Sequence, residues 1–279
     1  MKTKTRFKFP LGMLIIGVVL AFFLMPFVIM LLGSFKPSMS LNIVPIDLSP
    51  FHDTTLKNYY DVFETVKIGR AYVNSVFLLL FVVCSEVIIA VMAGYIFAVK
   101  DFWGKKILFA MVIITMMMPR QLLLVPNFMV AKQLKLMNSL TGVALTTINA
   151  SYGIFLVRQN VLTIPKDFYE SATIDGCGNL GIFSRIVLPM IKPAMAAVAI
   201  SSMFAVWNDY LWQNVMLTSS KNQTVPLMLA YLANKARNGI PAFGIQLSGS
   251  VIAITPLLAF FLVCQRWFIE GISAGGVKE

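Results

Sequence analysis

The sequence predicts an all-α membrane protein that crosses the bilayer six times. Hydrophobic residues make up 58% of its 279 residues and charged residues only 13%, whereas a soluble domain carries about a quarter charged residues. A mean hydropathy of +0.80 is more than one water-soluble core can accommodate, so the apolar residues are expected to face lipid. Each span must be helical, because lipid offers no hydrogen-bond partner to a free backbone amide.

Six apolar stretches are long enough to cross the hydrocarbon core of a bilayer. We predict spans at about 11–33, 71–98, 107–131, 139–158, 191–215 and 247–268. The first follows a basic N-terminus, but it is too long for the apolar part of a signal peptide and lacks a small-residue cleavage site, so we expect an uncleaved span. The six spans are interpreted as one transmembrane domain, residues 1–279.

Basic residues set the predicted orientation. With the N-terminus inside, the cytoplasmic segments contain more Lys and Arg than the outer segments, which are longer in total. We therefore predict a multi-pass protein of the cell membrane with both termini in the cytoplasm. The same bias accounts for the net charge of +11, so nucleic-acid binding is not predicted.

Several kinds of chemistry are excluded by the sequence. Cys84, Cys177 and Cys264 are far apart and His52 has no ligand cluster around it, so neither a disulfide framework nor a metal site is predicted. No G-x-x-x-x-G-K-[ST] phosphate loop occurs, which excludes nucleotide hydrolysis by that mechanism. We expect no catalytic residue and no cofactor bound by this chain.

Two charged residues fall inside predicted spans. Glu86 in the second span and Arg120 in the third lie at similar distances, roughly 16 and 18 residues, from the connection between these spans, so straight antiparallel helices would place them at similar depth. We predict an ion pair between them, because pairing offsets the desolvation cost of each charge. A structural clasp between helices and a proton or ion relay both remain open.

The inner segment 159–190 is too polar to cross the membrane. Pro165 begins a predicted short helix with Lys166 to Asp175 in its body, and Gly176 and Gly178 end it. Such a helix would lie beneath the membrane and dock a separate protein; the alternative is an amphipathic connector.

Four residues of this helix suit a docking role. The small side chains of Ser171 and Ala172 would allow close approach, and the carboxylates of Glu170 and Asp175 would bind basic groups of the partner. The segment is therefore interpreted as a docking site for a cytoplasmic protein.

The same residues carry a family resemblance. Glu170-Ser171-Ala172, Asp175-Gly176 and Ile186-Val187-Leu188-Pro189 resemble the coupling-loop signature of the membrane subunits of ABC importers. Ser171 stands where this family usually has a second alanine, a small-for-small change that a docking groove would tolerate.

Other stretches extend the resemblance to nearly the whole chain. They are Ser34-Phe35-Lys36-Pro37, Asn58-Tyr59-Tyr60, Asn74-Ser75, Trp207-Asn208-Asp209-Tyr210-Leu211-Trp212, Thr224-Val225-Pro226-Leu227, Gln265-Arg266-Trp267-Phe268, Gly271 and Ala274-Gly275-Gly276-Val277-Lys278. The tail in particular is similar to that of the maltose-type carbohydrate permeases, specifically their six-helix G-like subunit.

The resemblance implies the type I ABC importer permease fold and the import of a carbohydrate, in particular an oligosaccharide, by alternating access. It implies partners: an F-like second permease subunit, two ABC ATPase subunits that bind ATP and Mg, and an extracytoplasmic sugar-binding protein. The residues that would couple to the ATPase subunits are Glu170, Ser171, Ala172, Asp175, Gly176, Leu188 and Pro189, with Gly275, Gly276 and Lys278 of the tail as a second contact.

Asn208, Asp209 and Tyr210 form the candidate translocation path. Amide and carboxylate groups bind sugar hydroxyls, and polar groups within a membrane mostly face the protein interior or a water-filled cavity. For the flanking Trp207 and Trp212, an anchoring role at the membrane interface is equally consistent. In maltose-type systems the partner subunit supplies most sugar contacts, so a gating role also remains open.

Two other classes of protein are alternatives to an ABC permease. An ion-coupled secondary transporter would use Glu86 and Asp209, and its uptake would collapse with the ion gradient even in the presence of ATP. A membrane scaffold would leave uptake unchanged when it is lost. A secondary transporter would not need a docking loop with this signature, and a scaffold would leave Asn208 and Asp209 without a role.

Overall fold

A computed structural model describes the backbone of residues 9–37, 53–237 and 243–273, and all regular structure in these ranges is helical. In chain order the helices are α1 (Phe9–Ser34), α2 (Lys57–Thr65), α3 (Ile68–Val99), α4 (Lys105–Met117), α5 (Leu124–Gln133), α6 (Leu140–Thr147), α7 (Ser151–Leu162), α8 (Lys166–Ile174), α9 (Asn179–Ile182), α10 (Leu188–Met190), α11 (Lys192–Trp207), α12 (Leu211–Met216), α13 (Val225–Arg237) and α14 (Phe243–Ser273). Short 3-10 turns at Arg120–Leu123 and Ser220–Asn222 and a π-helical turn at Phe183–Val187 complete the regular structure. The all-α prediction is confirmed.

Three straight helices in the described part of the chain are long and apolar enough to cross a membrane. They are Gly12–Ser34, Ile68–Val99 and Phe243–Leu262. Three pairs of shorter helices satisfy the same criterion only when each pair is taken together, and each pair is bent: by 100° between Lys105–Met117 and Arg120–Gln133, by 45° between Leu140–Thr147 and Ser151–Leu162, and by 70° between Asn179–Met190 and Lys192–Trp207. The described residues thus contain up to six spans.

The sharpest bend has a local cause in the sequence. Met118 has an extended backbone, with φ −77° and ψ 125°, because a following proline disfavours the helical conformation of the residue before it. Pro119 also lacks the amide hydrogen that a continuous helix would use. The third predicted span is therefore two helices rather than one.

The fifth predicted span differs in a similar way. The sequence predicts a helix over 191–215, whereas α11 ends at Trp207 and α12 begins at Leu211. Between them, residues 208–210 leave the helical path. Backbone that is irregular at membrane depth is tolerated where it is buried in protein or lines a cavity, so this break indicates a functional position.

The chain divides into two compact units, Met1–Ile68 with Met228–Leu258 and Gly69–Leu227 with Ala259–Glu279. In the first unit, the Asn58 side chain donates to the carbonyl oxygens of Ser34 at 2.8 Å and Lys36 at 2.7 Å. The Ser34 and Tyr59 hydroxyl oxygens lie 2.8 Å apart. Two stretches that carry the family resemblance are thus in direct contact.

The second unit joins another pair of these stretches. The Asn74 side-chain amide donates to the carbonyl oxygens of Lys221 at 3.1 Å and Gln223 at 2.8 Å. Ser75 accepts a hydrogen bond of 2.9 Å from the amide of Val225. These bonds fix the segment before α13 against the beginning of α3, and all further features of the candidate site lie in this unit.

Candidate functional site

The short helix α8 ends as the sequence predicts. Its last turn is closed by hydrogen bonds from the amide of Gly176 to the carbonyl of Thr173, 3.0 Å, and from the amide of Cys177 to the carbonyl of Ala172, 2.9 Å. This pair of bonds is the Schellman motif, which needs a left-handed residue after the helix. Gly176 supplies it with a φ of +79°. Gly178 has a different role from the predicted one and lies immediately before α9.

The two faces of α8 have different environments. Glu170, Ser171 and Asp175 are exposed, and Gly176 has open space around its α-carbon. Ala172 is only 6% exposed and packs within an apolar core. The prediction that Ala172 offers a small surface to a partner is therefore wrong for this structure: successive helical residues point in different directions, and Ala172 falls on the inward face.

The apolar core beneath α8 is formed mainly by residues of the predicted spans. Its buried members are Ala90, Val91, Tyr95, Val157, Val161, Ile164, Ala172, Ile182, Val187, Ile191 and Val198. They come from α3, α7, α8, α11 and the connections between them. Because apolar packing of this kind is tight and nearly incompressible, α8 is held directly against these helices.

Polar contacts reinforce this attachment. The Lys100 ammonium group donates to the side-chain oxygen of Asn179 at 2.7 Å, which joins the end of α3 to the beginning of α9. The Tyr95 and Phe183 rings lie 5.0 Å apart between centroids, a distance typical of a favourable aromatic pair. The segment 159–190 is thus fixed to α3 at more than one point.

The second half of the loop leads back into a span through two unusual features. A π-helical turn at Phe183–Val187 precedes α10, and the 70° bend follows at Ile191. Leu188 packs partly buried against the core below α8, while Pro189 is exposed. π-helical turns occur frequently at functional sites, and this one connects the predicted docking segment to α11.

Tyr169, on α8, has an unusual environment outside the spans. Its hydroxyl oxygen is buried and has no hydrogen-bond partner among the described residues. Burial raises the pKa of Tyr169, and the neighbouring Tyr95 raises it further. Burial of this hydroxyl without a hydrogen bond carries a desolvation cost.

A cavity of about 760 Å³ lies in the same compact unit as the segment 159–190. Its lining residues are Ile89, Thr115, Arg120, Gln121, Leu123, Leu124, Asn127, Thr146, Thr147, Ile148, Asn149, Ala150, Ser151, Ile154, Ala205, Asp209, Leu211 and Trp212. Its size falls in the range of small-molecule sites, and its mixture of apolar and polar side chains is typical of them.

Three interruptions of helices meet at this cavity. The turn that follows the break at Pro119 contributes Arg120 and Gln121, the break between α6 and α7 contributes Asn149, and the break between α11 and α12 contributes Asp209. Broken helices at membrane depth are a recurrent feature of transporter binding sites. The cavity is therefore the candidate translocation site in this chain.

Hydrogen bonds hold the wall formed by the last of these breaks. The Asp209 carboxylate accepts a bond of 3.2 Å from the amide of Trp212. The Trp212 indole donates to the Thr146 hydroxyl at 3.0 Å. Asn208 instead donates to the carbonyl of Phe204 at 2.9 Å. Asp209 and Trp212 thus line the cavity, and α12 is fastened to α6.

Only one of the three residues predicted to line the translocation path lies in the cavity wall. Asp209 lines it, whereas Asn208 and Tyr210 are exposed and are not part of its lining. Trp207 is buried, and its ring centre lies 6.4 Å from that of Tyr72, so it packs against α3 rather than standing free at an interface.

The predicted ion pair between Glu86 and Arg120 does not form in this structure. Glu86 is 6% exposed, and its carboxylate accepts a bond of 2.7 Å from the amide of Asn149. Arg120 lines the cavity, as does Asp209. The prediction assumed a straight third span, and the 100° bend before Arg120 removes the equal depth on which it depended.

Several cavity residues carried no signal that sequence reasoning used. Gln121, Asn127, Thr146 and Asn149 are polar residues within the third and fourth predicted spans, and a search for polar groups near prolines or helix breaks would have found some of them. The predicted tail contacts, Gly275, Gly276 and Lys278, lie outside the described residues and stay predictions.

Comparison with known proteins defines the class as a membrane subunit of a substrate-import system. Residues 87–274 match the family model described as the binding-protein-dependent transport system inner membrane component. The arabinooligosaccharides transport system permease protein AraQ of Bacillus subtilis is 38% identical over 92% of this chain and 91% of the relative. The chain belongs to the family of binding-protein-dependent ABC importer permeases, and it is a multi-pass membrane protein.

Other similar proteins also match over nearly the full length of both chains. The melibiose/raffinose/stachyose import permease protein MelC of Bacillus subtilis is 30% identical over 91% of each chain. A bacterial ABC transporter involved in the import of the acidic polysaccharide alginate has a chain of the same fold, with a TM-score of 0.80, 19% identity and coverage of 92% of this chain and 95% of that chain. The predicted type I ABC importer permease fold is confirmed.

Proposed function

We propose that this chain is the permease subunit of an ATP-driven importer that moves an oligosaccharide into the cell by alternating access. The observation that carries the proposal is the position of α8. Its exposed face presents Glu170 and Asp175, while its buried face packs through Ala172 on the helices that also line the cavity. The helices α3, α7 and α11 therefore connect a polar docking surface with a transport site.

The substrate class rests on the relatives. Proteins 36% and 38% identical to this chain are permeases for arabinooligosaccharides, and another relative is the permease for melibiose, raffinose and stachyose. The cavity of about 760 Å³ is large enough for sugar rings, and its hydroxyl, amide and indole groups match sugar hydroxyls. An oligosaccharide is thus the substrate we assign to this transporter.

The partners follow from the same proposal. The complex contains an F-like second permease subunit and two ABC ATPase subunits, which bind ATP and Mg, and an extracytoplasmic sugar-binding protein delivers the substrate. The family description names dependence on a binding protein, and a structural neighbour is a transporter complexed with a substrate-loaded periplasmic protein. Both termini of this chain and its α8 are then cytoplasmic.

Within this chain, α8 receives the movement of the ATPase subunits. Glu170 and Asp175 bind their basic groups, and the glycine stop at Gly176 keeps the end of the helix free of side chains. The apolar core and the bond from Lys100 to Asn179 pass the displacement to α3, α7 and α11. The breaks in the spans then change the access to the cavity.

A bulky residue at Gly176 tests the coupling role. Gly176→Phe adds a large side chain at an exposed position with φ +79°, and we expect loss of copurified ATPase subunits and loss of labelled arabinotriose uptake. Gly104→Phe is the matched control, because Gly104 has φ +81° and equally open surroundings but lies between α3 and α4. Normal uptake by Gly176→Phe, or equal loss in both variants, would refute the coupling role.

A further inference from the structure

The charges in the cavity wall are few and balanced. Among the described residues that line the cavity, Arg120 is the one cation and Asp209 the one anion. They come from different parts of the chain, Arg120 from the turn after the first break and Asp209 from the break between α11 and α12. Every other polar lining residue is uncharged. This chain therefore contributes no net charge to the cavity wall.

The two groups line the same cavity without forming a direct contact pair. The described residues include no ion pair between them within 4.0 Å. Arg120 is exposed and Asp209 is half-buried. The guanidinium retains hydrogen-bond donors and the carboxylate retains acceptor sites for a guest.

A second carboxylate lies behind this wall. Glu86 is buried and accepts a hydrogen bond from the amide of Asn149, a lining residue, but Glu86 itself does not line the cavity. A guest in the cavity would therefore contact the carboxylate of Asp209 and the guanidinium of Arg120, while the backbone of Asn149 separates it from Glu86.

We propose that Asp209 offsets the attraction of Arg120 for anions, so that the cavity of this chain keeps the preference of an uncharged wall for uncharged saccharides over uronic-acid saccharides. The inference rests on the proposed function, because it names the chemistry that the same cavity accepts. A sugar hydroxyl both donates and accepts, so it can bind to the carboxylate and to the guanidinium. A uronate carboxylate would be attracted by Arg120 but repelled by Asp209, and the two effects cancel while the desolvation cost remains.

The proposal predicts opposite effects for the two charges. Asp209→Asn leaves the Arg120 charge without compensation and should raise the affinity for a uronate, relative to that for a neutral sugar, by about tenfold or more. The attraction between two unit charges at close range in a partly buried site is larger than the free energy of a tenfold change in affinity. Arg120→Gln should lower the same ratio. The double variant removes both charges and should restore the ratio of the wild type.

The substitution at Asp209 is conservative for the fold. Asp209 accepts a bond from the amide of Trp212 at the beginning of α12, and the side-chain oxygen of asparagine can accept the same bond. The matched control is Asp101→Asn, which changes the charge of the chain equally. Asp101 lies between α3 and α4, its side chain is 98% exposed, and it is absent from the cavity lining.

The test is direct binding to the assembled transporter in lipid nanodiscs without the binding protein, which would impose its own selectivity. Arabinotriose is the neutral probe and trigalacturonate the acidic probe, and the ratio of their dissociation constants is compared among variants of one complex. The contribution of the second permease subunit is then constant. A ratio shifted toward trigalacturonate in Asp209→Asn, restored in the double variant and unchanged in Asp101→Asn, is expected.

Three results would overturn the proposal. The first is an unchanged ratio in Asp209→Asn, and the second is a double variant that keeps the ratio of Asp209→Asn. The third is a wild-type complex that imports arabinotriose but whose affinity for arabinotriose is unaffected by substitutions at Arg120 or Asp209. In the last case the proposed function survives. Absence of ATP-dependent arabinotriose uptake by the wild-type complex would instead count against the proposed function. If Asp209→Asn does not assemble, Arg120→Gln alone decides the matter, because a ratio that fails to fall contradicts the proposal.

Discussion

Arg158 donates a hydrogen bond of 3.2 Å from its Nε to the carbonyl oxygen of Phe97, and its guanidinium lies 4.2 Å from the centre of the Phe109 ring. These contacts join α7 to the end of α3 and to α4 in one place. They lie in the same unit as α8, and two of the helices that they join, α3 and α7, also form the core that contains Ala172.

Arg158→Ala should therefore weaken coupling as well as stability. It removes one hydrogen bond and one cation–π contact, which together are worth about 2 kcal/mol of unfolding free energy. We expect a lower melting temperature of the purified complex and less sugar imported per ATP hydrolysed. Arg158→Lys keeps the positive charge but loses the Nε donor, so it should recover part of the stability. Wild-type stoichiometry in Arg158→Ala would show that this contact does not transmit movement.

Exchange of the two intramembrane charges should fail to rescue the protein. The structure pairs Glu86 with the amide of Asn149, so an arginine at position 86 loses the acceptor and introduces a buried cation. The E86R/R120E variant should be at least as unstable as either single variant, measured by the yield and melting temperature of purified protein. Glu86→Gln retains an acceptor oxygen and should be close to the wild type. Recovery of stability by the exchange would restore the ion-pair model.

Gly94 should tolerate no side chain. A Cβ at Gly94 would lie 2.7 Å from Val157 Cγ1 and 2.8 Å from Val157 Cβ, so Gly94→Ala must separate α3 from α7 and should cost about 1 to 3 kcal/mol. Gly69 is the matched control, since it lies in the same helix with nothing within 4 Å. Gly69→Ala should be neutral or slightly stabilising. Equal melting temperatures for both variants would contradict the packing described for α3 and α7.

Removal of the Tyr169 hydroxyl should stabilise the coupling loop. That oxygen is buried without a partner among the described residues, and a buried polar group without a hydrogen bond costs about 1 to 3 kcal/mol. Tyr169→Phe keeps the ring in the core and should raise the melting temperature of the complex. A lower melting temperature would mean that the hydroxyl has a partner in the assembled transporter.

Local chemistry accounts for what the sequence predicted well. The end of α8 at Gly176 depends on a glycine in the left-handed conformation, which is readable from a few adjacent residues. The position of the spans likewise follows from runs of apolar residues. Pro119 predicts a bend. The residues next to it in the sequence do not predict the 100° angle or the turn that places Arg120 in the cavity wall.

The incorrect predictions depended on contacts between residues that are distant in sequence. The acceptor role of Glu86 toward Asn149 arises only when the break between α6 and α7 comes beside α3. The sequence predicted Ala172 to be an exposed small residue, but in the structure the core from α3, α7 and α11 covers it. A residue's neighbours in the chain do not determine which face of a short helix meets such a core, so these features needed the three-dimensional structure.

The most direct test of the central claim is transport by the complete complex in proteoliposomes, with ATP inside and no ion gradient. We predict that labelled arabinotriose, presented with its binding protein, accumulates at a rate that depends on ATP and is unaffected by ionophores. The Gly176→Phe complex should show neither accumulation nor substrate-stimulated ATP hydrolysis. Uptake that persists without ATP and collapses with an ion gradient would contradict the account and favour a secondary transporter.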